Sequence, residues 1–151
     1  MRLALSRAQL ALEKGEVPVG CVLVSAQGEV LCRTQNEVNS RNDLTAHAEM
    51  LAIRSVPRHA LRGAKMYVTL EPCPMCAGAV ALSGISRVVF GAHDKKYGCC
   101  GSVYRIPEDP AFYDFCACDG GLMEKECEAL LKECFRLLRE SREPDYIKNV
   151  K

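Results

Sequence analysis

The sequence has almost no net charge, no long apolar run and few histidines. Its 20 Lys and Arg stand against 19 Asp and Glu, giving +1. No overall field therefore draws the chain onto nucleic acid or a membrane surface, and a polyanion would have to be held by a local patch. No apolar stretch approaches the roughly 20 residues that a membrane span needs, and residues 1–15 lack the core of a secretory signal. Internal repeats, linkers and low-complexity tracts are absent as well. What is left is the expectation of one cytoplasmic globular domain over residues 1–151. With 48% apolar residues it is large enough to bury a real core.

Cysteine is the residue in excess, with ten in the chain. Their spacing lacks the regular framework of a small secreted scaffold, and a domain of this size needs no staples, so disulfides are not expected. Cys21, Cys32, Cys127 and Cys134 sit among apolar neighbours and read as small buried hydrophobes. Cys99-Cys100 and Cys116-Ala-Cys118 are less easily assigned. A second metal site there would find few partners, because the chain holds only His47, His59 and His93.

Periodicity gives the elements. Ala4, Ala8, Ala11 and Leu12 form a helical stripe that stops at Gly15. Val19–Val24 reads as a strand, Gln27-Gly28 as a turn, and about Glu29 to Thr34 as the second strand of a hairpin. The polar stretch from Asn36 to Thr45 reads as a loop, and a helix follows from about Ala46 to Val56, broken by Pro57. Lys65–Leu70 is a strand, Cys73–Ser83 a helix and Arg87–Gly91 a buried strand. From His93 to Gly121 runs a long stretch punctuated by Gly and Pro, with one short strand expected near Phe115. A stretch of that length is usually functional. Met123, Cys127, Leu130, Leu131, Cys134 and Leu138 mark a last helix. Strands that alternate with helices after an opening hairpin indicate an α/β fold, a mixed sheet in a three-layer α/β/α sandwich.

Two motifs stand where a loop or strand gives way to a helix: TAHAEML at 45–51 and PCPMC at 72–76. His47, Cys73 and Cys76 offer one nitrogen and two sulfurs, a catalytic-type zinc set that keeps a fourth position open. The spacing of Cys73 and Cys76 puts both sulfurs on one face of a first helical turn, and Pro72 and Pro74 suit a helix start. The positive end of that helix favours the thiolates that bind metal. Glu49 fits as a proton carrier beside zinc-activated water better than as a fourth ligand. A closed structural site, completed by Cys99 or Cys100, is the plain alternative. A thioredoxin-like use of the CxxC is disfavoured, because the CxxC does not follow the first strand in the thioredoxin-like order.

The pattern H-x-E…P-C-x-x-C is the signature of zinc-dependent nucleobase deaminases, and by itself it leaves the substrate open. The surrounding blocks, EVPVG at 16–20, NEVNSRNDLTAHAEM at 36–50, YVTLEPCPMCAGA at 67–79 and RVVFGAHDKKYGCCGS at 87–102, closely resemble the family of bacterial tRNA-specific adenosine deaminases, from about Leu3 to Arg139. The catalytic subunit of the eukaryotic two-subunit enzyme shares several of these blocks. The resemblance implies a cytidine-deaminase-like fold with a five-stranded mixed sheet, a homodimer, and conversion of adenosine to inosine at the wobble position of a tRNA anticodon arm. It also implies one zinc per chain on His47, Cys73 and Cys76, with Glu49 catalytic. By matching position, the Ala48 backbone N–H and Asn36 would bind the base or its sugar, Val17 and Leu70 would form apolar walls, and Asp94 would lie near the substrate backbone. Asn36 and Asp94 also suit turns, and Val17 and Leu70 also suit a core. Arg136, Arg139, Arg142, Lys148 and Lys151 offer either a phosphate patch or a solvated helix face. The other readings kept open are a free-base or nucleotide deaminase of guanine or cytosine type, and a zinc-stabilised RNA-binding module without turnover.

Overall fold

A computed structural model describes residues 1–112 and 114–142. Helix α1 (Arg2–Glu13) leads into β1 (Gly20–Val24) and β2 (Val30–Gln35), then α2 (Val38–Arg41), α3 (Ala48–Ser55) and α4 (Arg58–Leu61). There follow β3 (Lys65–Leu70), α5 (Pro74–Ser83), β4 (Arg87–Ala92), a 3-10 turn at Ile106–Glu108, β5 (Ala117–Asp119) and α6 (Glu124–Arg142). The five strands form one mixed sheet in the order β2-β1-β3-β4-β5. β1 runs antiparallel to both β2 and β3, while β3, β4 and β5 are parallel. Among the described residues no helix is long and apolar enough to cross a membrane.

The hairpin forms because Ser25 organises its turn. Its Oγ accepts the N–H groups of Gln27 and Glu29, and Gly28 takes the left-handed φ of 93° that the turn requires. Alternation along β1 then serves two layers. Cys21 and Leu23 join Ala48 and Ala52 of α3, Val56 just after it, Val80 of α5, and Met66, Val68, Val88 and Phe90 of the central strands in the main core. Gly20 faces the other way, where a Cβ would run into the α1 backbone at Ala4 and Ala8. Ala4, Ala8 and Ala11, all fully buried, let α1 lie this close to the sheet. Gly91 plays the same part on β4, against Cys127 of α6. α1 and α6 therefore pack together on one face, and α3 and α5 on the other.

Two expectations change in detail. The stretch from Asn36 to Thr45 contains the one-turn helix α2, and Pro57 caps a further one-turn helix, α4. The last strand lies at Ala117–Asp119, and Phe115 is an exposed loop residue. Cys21, Cys127 and Cys134 are buried and Cys32 is partly so. Cys100 and Cys116 also belong to the main core, with Cys118 packed against it.

Candidate metal and catalytic centre

His47 and Cys73 are the residues that immediately precede α3 and α5, and Cys76 lies in the first turn of α5 after Pro74. Both helices direct their positive ends and unpaired N–H groups at one point. α3 is tied to the sheet there, since the Ala48 carbonyl accepts the Thr34 hydroxyl at 2.7 Å. Its N–H lies in the first turn, where a helix provides no partner.

Geometry tests whether the donors suit zinc. Tetrahedral zinc with bonds of about 2.0 Å to nitrogen and about 2.3 Å to sulfur places these donors roughly 3.6 Å apart. His47 Nδ1 lies 3.5 Å from the Cys73 sulfur and 3.5 Å from the Cys76 sulfur. All three donor atoms fall within 4.8 Å of one another, and among the described residues no other His, Cys, Asp or Glu group does so. The set fits the ion. Cys99 and Cys100 do not complete it. The Cys99 thiol donates instead to the Tyr97 carbonyl, and Cys100 is buried in the core.

Electrostatics follow from the same geometry. The Cys76 thiol beside it, together with His47, outweighs the burial of Cys73 and holds its thiol down to about 4. The neighbouring Cys73 sulfur and burial push Cys76 far up. Cys73 also raises the pKa of His47. Glu49, only 4% exposed, is pushed above the ordinary carboxyl value chiefly by burial. A carboxyl so placed takes up and releases a proton more readily near neutral pH than an exposed one.

These groups line a cavity of about 280 Å³. Seven of the nine residues singled out in the sequence border it: Val17, Asn36, His47, Glu49, Leu70, Cys73 and Asp94. Ala48 and Cys76 lie behind its wall, fully buried. Leu70 serves both as wall and as packing for the core, and Val17 stands at the mouth, 42% exposed. Tyr97, Val38 and Asn39 complete the rim.

Two buried carboxylates were not legible as such. Glu16 accepts the Asn36 amide at 3.1 Å and the backbone N–H groups of Asn39 and Ser40 at 3.1 and 2.7 Å. It thereby caps α2 from a distance and orients Asn36. Glu71 receives the loop after β4. Both stand inside the sequence blocks quoted above, yet their partners lie 20 or more positions away. On α6, Arg136 goes the other way: it is engaged by Glu133 and Glu140. That part of the proposed phosphate patch is an ion-paired solvated face. Lys148 and Lys151 lie outside the described residues, as does the Arg142 side chain.

A helix-flanked mixed sheet that brings a His, a Cys and a buried Glu to a base-sized cavity, with a second Cys just behind its wall, defines a zinc-dependent deaminase. The family model for the cytidine and deoxycytidylate deaminase zinc-binding region matches residues 1–92, and the chain belongs to that family. Relatives narrow the branch. The tRNA-specific adenosine deaminase of Bacillus subtilis (strain 168) is 44% identical over 146 residues, covering 94% of this chain and 90% of its own. That of Aquifex aeolicus (strain VF5) is 43% identical, covering 92% and 93%. A solved structure from work on A-to-I editing by tRNA:A34 deaminases at the wobble position of transfer RNA superposes with a TM-score of 0.81. It is 41% identical over 87% of this chain and 97% of that one. The guanine deaminase from Nitrosomonas europaea, at 19% identity and a TM-score of 0.72 over 87% and 80%, shares the fold.

Proposed function

We propose that this chain is a hydrolase that converts adenosine to inosine at the wobble position of a tRNA anticodon. The observation that carries the reading is the convergence of Glu49 and the three-donor group on a cavity with room for about one nucleoside. The relatives' activity supplies the substrate class. Zinc, one per chain, supplies the Lewis acidity that makes water a nucleophile near neutral pH.

The chain's own residues do the rest. His47, Cys73 and Cys76 hold the ion and leave one side facing the cavity. Glu49 takes the proton from the attacking water and delivers it to the amino group that leaves as ammonia. Val17 and Leu70 flank the ring with apolar surface. Asn36, its amide already committed on one side to Glu16, offers its remaining polar atoms to the nucleotide. Asp94 stands at the mouth, toward the sugar–phosphate strand. A base reaches such a floor only when it is out of any stack, which suits an anticodon loop and selects against duplex.

The same reading places the enzyme in the cytoplasm as a homodimer. Val103, Tyr104 and Phe115, exposed on the segment between β4 and β5, leave apolar surface for a second copy.

The test is a comparison of ammonia release and inosine formation from an anticodon stem-loop with adenosine at the wobble position, free adenosine, guanine and cytidine. The stem-loop is expected to be converted and free adenosine to be a very poor substrate, with binding that weakens steeply as salt rises. Guanine or cytidine turned over faster than the stem-loop overturns the tRNA assignment and leaves the metal chemistry standing. A single-chain mass in solution overturns the dimer.

A further inference from the structure

Glu71 is 2% exposed and stands between β3 and Pro72, two positions before Cys73. The proton transfer and metal binding described above do not use it. A buried carboxylate is costly unless donors satisfy it, and every hydrogen-bond donor to Glu71 comes from the one loop that follows β4. Its Oε1 accepts the backbone N–H groups of Cys100 at 3.0 Å and Ser102 at 2.9 Å. Its Oε2 accepts the N–H of Asp94 at 3.0 Å and the Ser102 hydroxyl. His93, half-exposed at the start of the loop, approaches to 3.7 Å.

The loop's own backbone bonds are short-range: the Gly98 N–H donates to the Asp94 carbonyl, Val103 to Gly98 and Gly101 to Tyr104, beside one isolated bridge, Cys100 to Arg105. Two ties hold it to the chain after β3. The Cys99 N–H donates to the Pro72 carbonyl at 2.9 Å, and the Glu71 carboxylate gathers the other donors as an anion does. Gly98 leaves the space for it, since a Cβ there would collide with the Glu71 carboxylate. The loop in turn carries recognition groups to the cavity. The Asp94 side chain accepts the N–H groups of Lys96 and Tyr97 at 2.9 and 3.1 Å, so its own orientation is fixed. Tyr97 stands at the rim, 54% exposed, with the Lys96 ammonium 4.8 Å from its ring centre. An exposed ring beside a cation at the mouth of a base-sized cavity suits the stacking of a neighbouring base on a single strand.

We propose that Glu71 is a positioning residue for substrate recognition: it binds residues 94–102 as a unit and so sets Asp94 and Tyr97 against the nucleotides that flank the base in the cavity. The proposal rests on the RNA reading above. It separates Glu71 from the role its place in the chain first suggests, support of the Pro72–Cys73 bend for the metal.

Glu71→Gln decides between the two, because an amide cannot accept four donors. Three quantities are measured on the zinc-loaded protein: zinc per chain, kcat and KM on the anticodon stem-loop, and hydrogen exchange of the loop amides. Expected are one zinc per chain, kcat within about threefold of the parent, and KM raised roughly tenfold or more, the scale of one lost stacking contact. Amides 94–102 should exchange faster. Gly98→Ala, which leaves Glu71 in place and spoils its cradle, should move KM and exchange the same way, and Ser102→Ala less so. If Glu71→Gln does not fold, these two variants decide. Loss of zinc with a fall in kcat at unchanged KM, or unchanged loop exchange, overturns the proposal. A parent protein that leaves the stem-loop unconverted is instead the failure of the RNA reading, and the exchange data still decide whether Glu71 holds the loop.

Discussion

Glu16 and Asn36 are joined by a 3.1 Å hydrogen bond in which the Asn36 amide donates to a carboxylate that is itself buried. Burial opposes the charge on Glu16, but the backbone N–H groups of Ser40 and Asn39 and the Asn36 amide outweigh it and hold the pKa below its ordinary value. A lowered carboxyl stabilises the fold above the unfolded value of about 4.3, and that stability is lost as pH falls through the folded value. Glu16→Gln is therefore expected to lose about 1–3 kcal/mol at neutral pH and to show a flatter stability curve than the parent below about pH 5. Urea unfolding from pH 3 to 7 measures both. Superimposable pH curves would remove the charge on Glu16 from the account.

The Glu16 network also shows where sequence reasoning stopped. Segments with their own periodicity were legible: the stripe of α1, the strands β1, β3 and β4, and the long α6. So was the His47, Glu49, Cys73 and Cys76 set, because helix-turn spacing and short-range order encode it. The helix α2 was not, since Val38–Arg41 has no apolar repeat and its first N–H groups are satisfied by a carboxylate more than 20 positions earlier. β5 has three residues, too few for alternation to register. Glu71 was not singled out in the sequence, because its partners lie 23 to 31 positions downstream. Carboxylates of this kind are found by asking which buried charge lacks a cation, a question that a linear pattern cannot pose.

Replacing Glu49 should separate binding from turnover. Glu49→Gln nearly preserves volume, so zinc content and melting temperature are expected to stay close to the parent while kcat falls by about 10²–10⁴. Ammonia release under saturating stem-loop is the measurement. Near-normal release would exclude Glu49 from proton transfer.

Removing a donor should cost the ion. Cys73→Ala and Cys76→Ala each leave two of the three ligands, and both are expected to purify with well under one zinc per chain and without activity. Metal analysis by mass spectrometry gives the ratio. A retained full equivalent would send the search for ligands to Cys99, Cys100 and the Cys116/Cys118 pair.

The seat of α1 can be probed apart from the chemistry. Gly20→Ala puts a methyl group into the helix backbone at Ala4 and Ala8, with an expected cost of about 1–3 kcal/mol. A shift in the urea midpoint is the readout. An unchanged midpoint would mean that α1 does not rest on β1 as described.

Two segments of the cavity rim each lean on one buried carboxylate: the oxygens of Glu16 accept from Asn36, Asn39 and Ser40, and those of Glu71 from Asp94, Cys100 and Ser102. Neither carboxylate belongs to the metal group. Heredity and design thus meet a chain with replaceable fittings. A new rim segment that offers its N–H groups to the same carboxylate would reshape the cavity mouth while the His47, Cys73 and Cys76 group stays as it is. The reverse exchange has no such freedom, because His47 and Cys73 cap the starts of two packed helices.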